Sequence, residues 1–247
     1  MTDTILAVEK LLSAYCYKIE LHAHSAPASS CSELPPRELL TRLKNEHYDA
    51  VVLTNHFNRH CSYFGADDPV GAYLTDFHEA KEIGKELGIT VLLGAEYRFD
   101  ENDNDYLVLG IDEAFLRATL NELSLTAKEF YHKHKNEDIL FLQAHPFRKG
   151  MTLADPADVD GIEAYNMHPG HNSRITMAAR YATEHGFPVV TVGTDLHHPG
   201  HEGAAALRAR ILPKTGKDLV ALLRSRDYIF EIGGHPLLPY TTISHHT

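Results

Sequence analysis

Side chains that bind metal ions occur in pairs at two distant points of the sequence. His22 and His24 stand two residues apart in ELHAHS, and Asp195 and His197 stand two residues apart in GTDLH. Residues at positions i and i+2 of a β-strand point to the same side. If both motifs lie on strands, each pair can bind one ion.

Three more residues of the same kind each follow a short apolar run: His56, Glu96 and His145. Together the seven side chains are nitrogen and oxygen donors that suit zinc, manganese or iron. Seven ligands are too many for one tetrahedral ion but suit two or three divalent ions that share a carboxylate, either Glu96 or Asp195. Two ions roughly 3.5–4 Å apart activate a water and stabilise a displaced oxygen. The expected chemistry is therefore hydrolysis.

The elements that would position these residues are short apolar runs that alternate with longer helical stretches. The predicted strands are 17–24, 49–56, 89–99, 105–111, 138–146, 159–166, 187–197 and a short one from Tyr228. The predicted helices are 35–48, 70–87 (ending at Gly88), 174–186 and 219–228, and a long helical region extends from 113 to about 135. This alternation predicts parallel strands with helical crossovers. About seven such units favour an α/β fold with a closed or distorted barrel.

The positions of the seven candidate ligands agree with that barrel. All of them fall at or near the ends of predicted strands. In a β/α barrel the C-terminal ends of the strands meet at one face, where active sites are built. The sequence therefore predicts a metal site at this face.

Length and charge argue against several other classes of protein. The chain has 247 residues and a formal charge of −11, without the basic excess that stable binding to duplex nucleic acid needs. No apolar run approaches the roughly 18 residues of a membrane span. Cys16, Cys31 and Cys61 have unrelated spacings and the N-terminus has no signal-peptide pattern, so we expect a cytoplasmic location. The absence of linkers and repeats predicts a single domain over 1–247.

Six motifs, taken in order, resemble those of the PHP (polymerase and histidinol phosphatase) superfamily. They are ELHAHS (20–25), LTNH (53–56), GAE (94–96), AHP (144–146), GIEAYN (161–166) and GTDLH (193–197). The resemblance extends over roughly residues 17 to 200. It implies a distorted (β/α)7 TIM-like barrel, up to three metal ions at the C-terminal ends of the strands, and usually phosphoesterase activity.

The resemblance also implies which residues bind each ion. By this comparison the first ion is bound by His22, His24, Glu96 and Asp195, the second by Glu96 and His145, and the third by His56 and His197.

The sequence departs from the family pattern at three places. Asn55 stands where the usual motif has an aspartate, next to the ligand. Cys31 stands nearest to a position that is Asp or His in many members, so it either binds the third ion or leaves that site short of a ligand. A histidine is missing at the end of the fourth strand, where Asp112 is a candidate replacement.

Arginines near the strand ends are the candidates for binding a phosphate. Arg148 follows the AHP motif, and Arg98 lies two residues after Glu96. Arg148 and His197 are also the candidate catalytic residues, and Asn166 and His171 are further candidates for substrate binding. Glu163 and Glu20 are expected to orient ligands.

These observations favour a metal-dependent phosphoesterase that acts on a small phosphorylated metabolite or nucleotide. One alternative is a C–N hydrolase of the amidohydrolase type on a similar barrel. Another is a PHP module that binds metal but has no catalytic activity. The sequence leaves the physiological metal, the choice between monoester and diester, and the oligomeric state open.

Overall fold

A single curled β-sheet is the centre of the computed structural model, which describes residues 2–239, with side chains from residue 6 onward. Residues 1 and 240–247 of the predicted domain lie outside this range. Within it the strands are β1 (Tyr17–Ala23), β2 (Ala50–Leu53), β3 (His56–Phe57), β4 (Thr90–Arg98), β5 (Asp105–Leu109), β6 (Leu140–Gln143), β7 (Gly161–Asn166), β8 (Val189–Gly193), β9 (Ala205–Ala209), β10 (Tyr228–Ile232) and β11 (His235–Leu237). The helices are α1 (Thr2–Ala14), α2 (Pro36–Asn45), α3 (Pro69–Leu87), α4 (Glu113–Thr119), α5 (Ala127–His134), α6 (Ile175–His185) and α7 (Gly216–Ser225).

The strands pair in the order β11-β10-β9-β1-β2-β4-β5-β6-β7-β8, and β3 pairs with β4. The chain beyond β8 returns to β1. There the Leu196 N–H donates to the His22 carbonyl (3.1 Å), and the His24 N–H donates to the Leu196 carbonyl (3.0 Å). The run from β1 to β8 therefore closes on itself, while β9 pairs antiparallel with the first half of β1.

Both faces of the sheet are covered. Every residue of β2, β5, β6 and β8 is buried, as expected of strands packed on both sides. The apolar face of α2 buries Leu39, Leu40 and Leu43 against this sheet. No helix within residues 2–239 is long and apolar enough to cross a membrane.

The mixed α/β class predicted from the sequence is confirmed, but a regular series of seven parallel β/α units is not. β5 is antiparallel to both β4 and β6. Only residues 99–104 connect β4 to β5, which is too short for a crossover helix, so the two strands form a hairpin. As a result β5 begins, rather than ends, at the face where β4 ends.

The predicted helical region from 113 to about 135 is divided into two helices, α4 and α5. Thr126 begins α5 with a capping box, in which its hydroxyl accepts from the Glu129 N–H and the Glu129 side chain accepts from the Thr126 N–H. The predicted end of α3 is confirmed: Gly88 has the left-handed backbone (φ 66°) that glycine adopts most readily.

Gly110, just after β5, has no room for a side chain. Its φ is +83°, and an added Cβ would lie against the Asp138 carbonyl oxygen and 2.6 Å from Val220 Cγ2. We expect Gly110→Ala to lower the free energy of unfolding by about 2–4 kcal/mol, from backbone strain and overpacking together. Urea denaturation followed by circular dichroism measures this change.

Gly150→Ala is the matched control, because Gly150 also has a positive φ (+95°) but nothing lies within 4 Å of an added Cβ. Its loss should be only the backbone strain, about 1 kcal/mol. Equal losses in the two variants would contradict the packing argument.

Candidate functional site

The structure brings the seven candidate ligands together at one mouth of the curled sheet. His22 lies on β1 and His24 directly follows that strand. His56 lies on β3 and Glu96 on β4. His145 follows β6, and Asp195 and His197 follow β8. All are buried except one that is half-buried, His56. The set is His22, His24, His56, Glu96, His145, Asp195 and His197.

The Glu96 carboxylate lies in the middle of this set. Its Oε1 is 3.3 Å from His22 Nε2 and 3.1 Å from His145 Nε2. Its Oε2 is 2.7 Å from His56 Nδ1 and 3.5 Å from His24 Nε2. Because its two oxygens face imidazoles from different strands, Glu96 is placed to bridge two ions.

The Asp195 carboxylate faces the same space from the opposite side. Its Oδ1 is 3.5 Å from His22 Nε2 and 3.4 Å from His24 Nε2. Asp195 (φ 53°) and His145 (φ 29°) both have left-handed backbone. Such conformations cost energy in residues other than glycine and concentrate at functional sites.

The nitrogen and oxygen atoms that face this space fit metal binding. Three groups each have ligand atoms within 4.8 Å of one another: His22, His24 and Glu96; His24, His56 and His197; and His56, Glu96 and Asp105. Several of their buried atoms make no hydrogen bond of regular geometry, namely His22 Nε2, His24 Nε2, His56 Nδ1 and Glu96 Oε2, although His56 Nδ1 and Glu96 Oε2 lie 2.7 Å apart. Buried polar atoms are rarely left unpaired, so these are suitable positions for metal ligands.

Two of the candidate ligands, Glu96 and His24, have pKa values shifted toward the forms that bind metals. Burial opposes ionisation of Glu96, but the positive charges of His22 and His56 hold its pKa well below the usual value. Burial, together with His197 and His56, holds the pKa of His24 well below the usual value. An ionised carboxylate and a neutral imidazole are the forms that bind metals.

Two buried glutamates hold the strand-end residues in place. Glu163 Oε1 lies 2.8 Å from His22 Nδ1, which leaves Nε2 of that ring facing Glu96. Its Oε2 accepts from the His145 N–H (3.1 Å). Glu20 accepts from the backbone N–H groups of His22 (2.9 Å) and Thr194 (3.0 Å). Neither glutamate belongs to the three groups, so the geometry supports the expected orienting roles.

A similar arrangement fixes His24. Its Nδ1 lies 3.2 Å from the Ser29 hydroxyl, which donates to Asn55 Oδ1 (3.0 Å). The hydroxyl therefore accepts from His24 Nδ1–H, and the lone pair of Nε2 is directed into the cluster. Asn55 thus orients a ligand rather than acting as one.

A pocket of about 250 Å³ opens over the cluster, and most of the candidate substrate-binding residues line it. Its lining residues are Cys31, His56, Arg98, Arg148, His168, His171, Asp195, His197 and His198. His171 Nδ1 lies 3.6 Å from Asp195 Oδ2. His197, a candidate catalytic residue, lies within a possible ligand group, and its Nδ1 is 2.8 Å from the Asp195 carbonyl oxygen.

Asn166 is placed differently from the expectation of substrate binding. It is 3% exposed, and its amide nitrogen donates to Glu163 Oε2 (3.0 Å) and Asp195 Oδ2 (3.2 Å). Its Oδ1 accepts from the Ser173 hydroxyl (2.9 Å). Because its polar atoms are used within the protein, Asn166 positions Asp195 instead of facing the pocket.

Asp105 also lies at the site, although the sequence motifs did not predict it. It begins β5, is fully buried, and its Oδ2 lies 3.7 Å from His145 Nε2. Asp112, the candidate replacement ligand, lies beyond the other end of β5, where it is exposed and caps α4 by accepting from the Phe115 N–H. The short connection between the predicted strands at 89–99 and 105–111 was the signal that could have identified a hairpin, and with it Asp105.

Cys31 lies at the pocket beside His56 and His197. Its partial burial would raise the pKa of the thiol, but hydrogen bonds with His197 and His56 lower that pKa to about 6. A thiolate in this position is a suitable ligand for a soft or borderline metal ion.

Comparisons with known proteins agree with this geometry. A family model described as the PHP domain matches residues 20–191. A two-domain protein from Bacteroides vulgatus, described as containing a predicted PHP-like metal-dependent phosphoesterase, has a similar structure with a TM-score of 0.58 and 15% identity. That similarity covers 87% of this chain but only 64% of the other, and at this identity it indicates the fold alone.

Two further solved structures are more distant. A protein from Bifidobacterium adolescentis, described as a suggested metal-dependent phosphoesterase, has a TM-score of 0.46 and 16% identity over 72% of this chain and 87% of that chain. An amidohydrolase from Chromobacterium violaceum has a TM-score of 0.48 and 18% identity over 74% of this chain and 89% of that chain. Neither is similar enough to carry an inference. No curated protein sequence matches the chain significantly.

Removing the orienting charge of Glu163 should weaken metal binding without unfolding the protein. Glu163→Gln keeps the side-chain size but can no longer hold His22 Nδ1 with a full negative charge. We expect metal affinity to fall roughly 10- to 100-fold, as is typical when a partner of a ligating histidine is changed. Isothermal titration of the apoprotein with Zn²⁺ or Mn²⁺ measures the change. Unaltered affinity would show that Glu163 does not orient a ligand.

Proposed function

The chain belongs to the PHP domain family, and on that premise we propose that it is a metal-dependent hydrolase that cleaves a phosphate ester of a small phosphorylated metabolite or nucleotide. The observation that carries this proposal is the set of buried ligand atoms around Glu96 that lie close together without forming hydrogen bonds of regular geometry. Such atoms, directed at one buried carboxylate, fit two or three divalent ions of zinc, manganese or iron.

Three sets of residues would hold the ions. The first set is His22, His24, Glu96 and Asp195; the second is Glu96, His145 and Asp105; the third is His56 and His197, with Cys31 beside them. When bound, ions in this arrangement supply an activated water and stabilise negative charge on phosphoryl oxygens. Hydrogen bonds within the protein fix three of these ligands. Glu163 holds His22, Ser29 holds His24, and Asn166 holds Asp195.

The pocket walls support a phosphorylated substrate. Arg98 and Arg148 bring two guanidinium groups to the pocket, and planar guanidinium groups suit phosphate oxygens. A volume of about 250 Å³ is at the small end for ligand pockets, which favours a small substrate.

Two histidines of the pocket, His197 and His171, would have different roles under this proposal. His197 would be a metal ligand, so it is not available to contact the substrate as well. His171 is 32% exposed at the pocket beside Asp195 and lies outside the three groups of possible ligands. It is therefore the better placed imidazole for hydrogen bonding to the oxygen that leaves phosphorus.

Glu96→Ala tests the proposal because it removes the carboxylate shared by two sets of ligands. We expect the purified variant to lose at least one equivalent of metal by elemental analysis. Hydrolysis of phosphate esters should fall on the order of 100-fold or more, beyond the typical effect of changing a partner of a ligand. The assay compares a panel of phosphate monoesters and diesters with a panel of amides, each with Zn²⁺, Mn²⁺ or Fe²⁺.

Glu122→Ala is the matched control, since it removes a carboxylate that lies 2.6 Å from a histidine, His134, away from the pocket. It should keep both metal and activity. A wild-type protein that binds two or three ions but cleaves amides and no phosphate ester would contradict the phosphoesterase proposal. An active Glu96→Ala protein would contradict the bridging role.

A further inference from the structure

Asp105 connects the second set of ligands to the two arginines of the pocket. Its Oδ1 accepts from Arg98 Nε (2.7 Å), and its Oδ2 accepts from both Arg98 Nη2 (2.7 Å) and Arg148 Nη2 (2.8 Å). The same carboxylate has an oxygen within 4.8 Å of ligand atoms of His56 and Glu96. One fully buried side chain therefore faces both the possible metal position and the phosphate-binding groups.

The acceptor capacity of Oδ2 is already used. A carboxylate has about four lone-pair positions, roughly two on each oxygen. On Oδ2 both are taken by N–H groups of Arg98 and Arg148. This oxygen is also the one recorded near His145 Nε2, at 3.7 Å. Asp105 cannot bind an ion of the second set through Oδ2 and keep both arginine contacts on that atom.

The two arginines are not held equally. Arg98 makes a two-pronged contact, through Nε to Oδ1 and through Nη2 to Oδ2. Arg148 contacts the carboxylate through Nη2 alone, although its side chain is less exposed (19%) than that of Arg98 (28%). Arg148 is therefore the easier of the two to displace, and it already lines the pocket.

We propose that Asp105 exchanges one partner for another: Oδ2 leaves Arg148 and binds the metal ion of the second set, and the released Arg148 guanidinium binds the substrate phosphate. Arg98 stays on Asp105 through its Nε contact. This inference rests on the proposed function and adds that the phosphate site is completed only when the second ion is bound. When the second ion is absent, the Arg148 guanidinium stays beside Asp105 and supplies positive charge there.

Chemical modification of arginines tests the exchange directly. Phenylglyoxal reacts with accessible guanidinium groups, and mass spectrometry of proteolytic peptides gives a rate for each arginine. We expect saturation of the wild-type apoprotein with Zn²⁺ or Mn²⁺ to raise the rate at Arg148 several-fold. The rate at Arg98 should not change, and added inorganic phosphate should then protect Arg148.

Two controls separate this exchange from a general effect of metal on the protein. Arg37, which pairs with Glu86 on the surface (2.8 Å), should react at the same rate with and without metal. In the Asp105→Asn variant an amide replaces the charged anchor, so Arg148 should react rapidly even without metal. Slow modification of Arg148 in the metal-free variant would overturn the assignment of Asp105 as its anchor.

The possible failures are distinguishable. If elemental analysis shows that two or three ions bind and the rate at Arg148 is unchanged or lower, the exchange is overturned while the proposed function remains. If the protein takes up no metal, the proposed function fails and the exchange fails with it.

Discussion

The carboxylate of Glu96, 1% exposed, is surrounded by four imidazoles at 2.7–3.5 Å. A buried carboxylate without compensation costs several kcal/mol, so its position requires positive charge close by. The imidazoles are in turn held by other carboxylates, such as Glu163 on His22. Removing one carboxylate or imidazole from this alternating network leaves the charge of its neighbour uncompensated. Once the imidazoles are neutral, the same carboxylates and imidazoles are suitable ligands for metal ions.

The geometry of the site depends on how the sheet closes. Ala23 separates His22 from His24, and Leu196 separates Asp195 from His197. Ala23 and Leu196 form a parallel bridge, with hydrogen bonds from the backbone on either side. The two pairs of ligands are therefore held facing each other by the backbone, independently of any ion. Gly193 allows this close approach, because a Cβ there would lie 2.6 Å from both Glu163 Oε1 and His22 Cβ.

The sequence was sufficient to predict the seven residues that the structure brings together, because spacing by two residues and position at a strand end are both readable in a sequence. Asp105 was not predictable by the same rule. The rule assumes parallel strands, whereas β5 runs in the opposite direction and places its first residue at the site. The internal hydrogen bonds of Asn166 depend on Glu163 of β7 and on Asp195 after β8. The sequence therefore predicted that Asn166 lies near the site, but not that its side chain bonds within the protein.

Asp105 and Cys31 would give the three proposed sets of ligands different chemistry. Under the proposed function the second set contains two carboxylates and one imidazole, which suits harder ions such as manganese. The third set has imidazoles with a thiol whose pKa is lowered to about 6 by hydrogen bonds that outweigh its burial, which suits zinc. The first set, with two imidazoles and two carboxylates, lies between them. Under this proposal the chain's departures from the family pattern would therefore change the metal selectivity of individual positions while leaving the shared carboxylate of Glu96 at their centre.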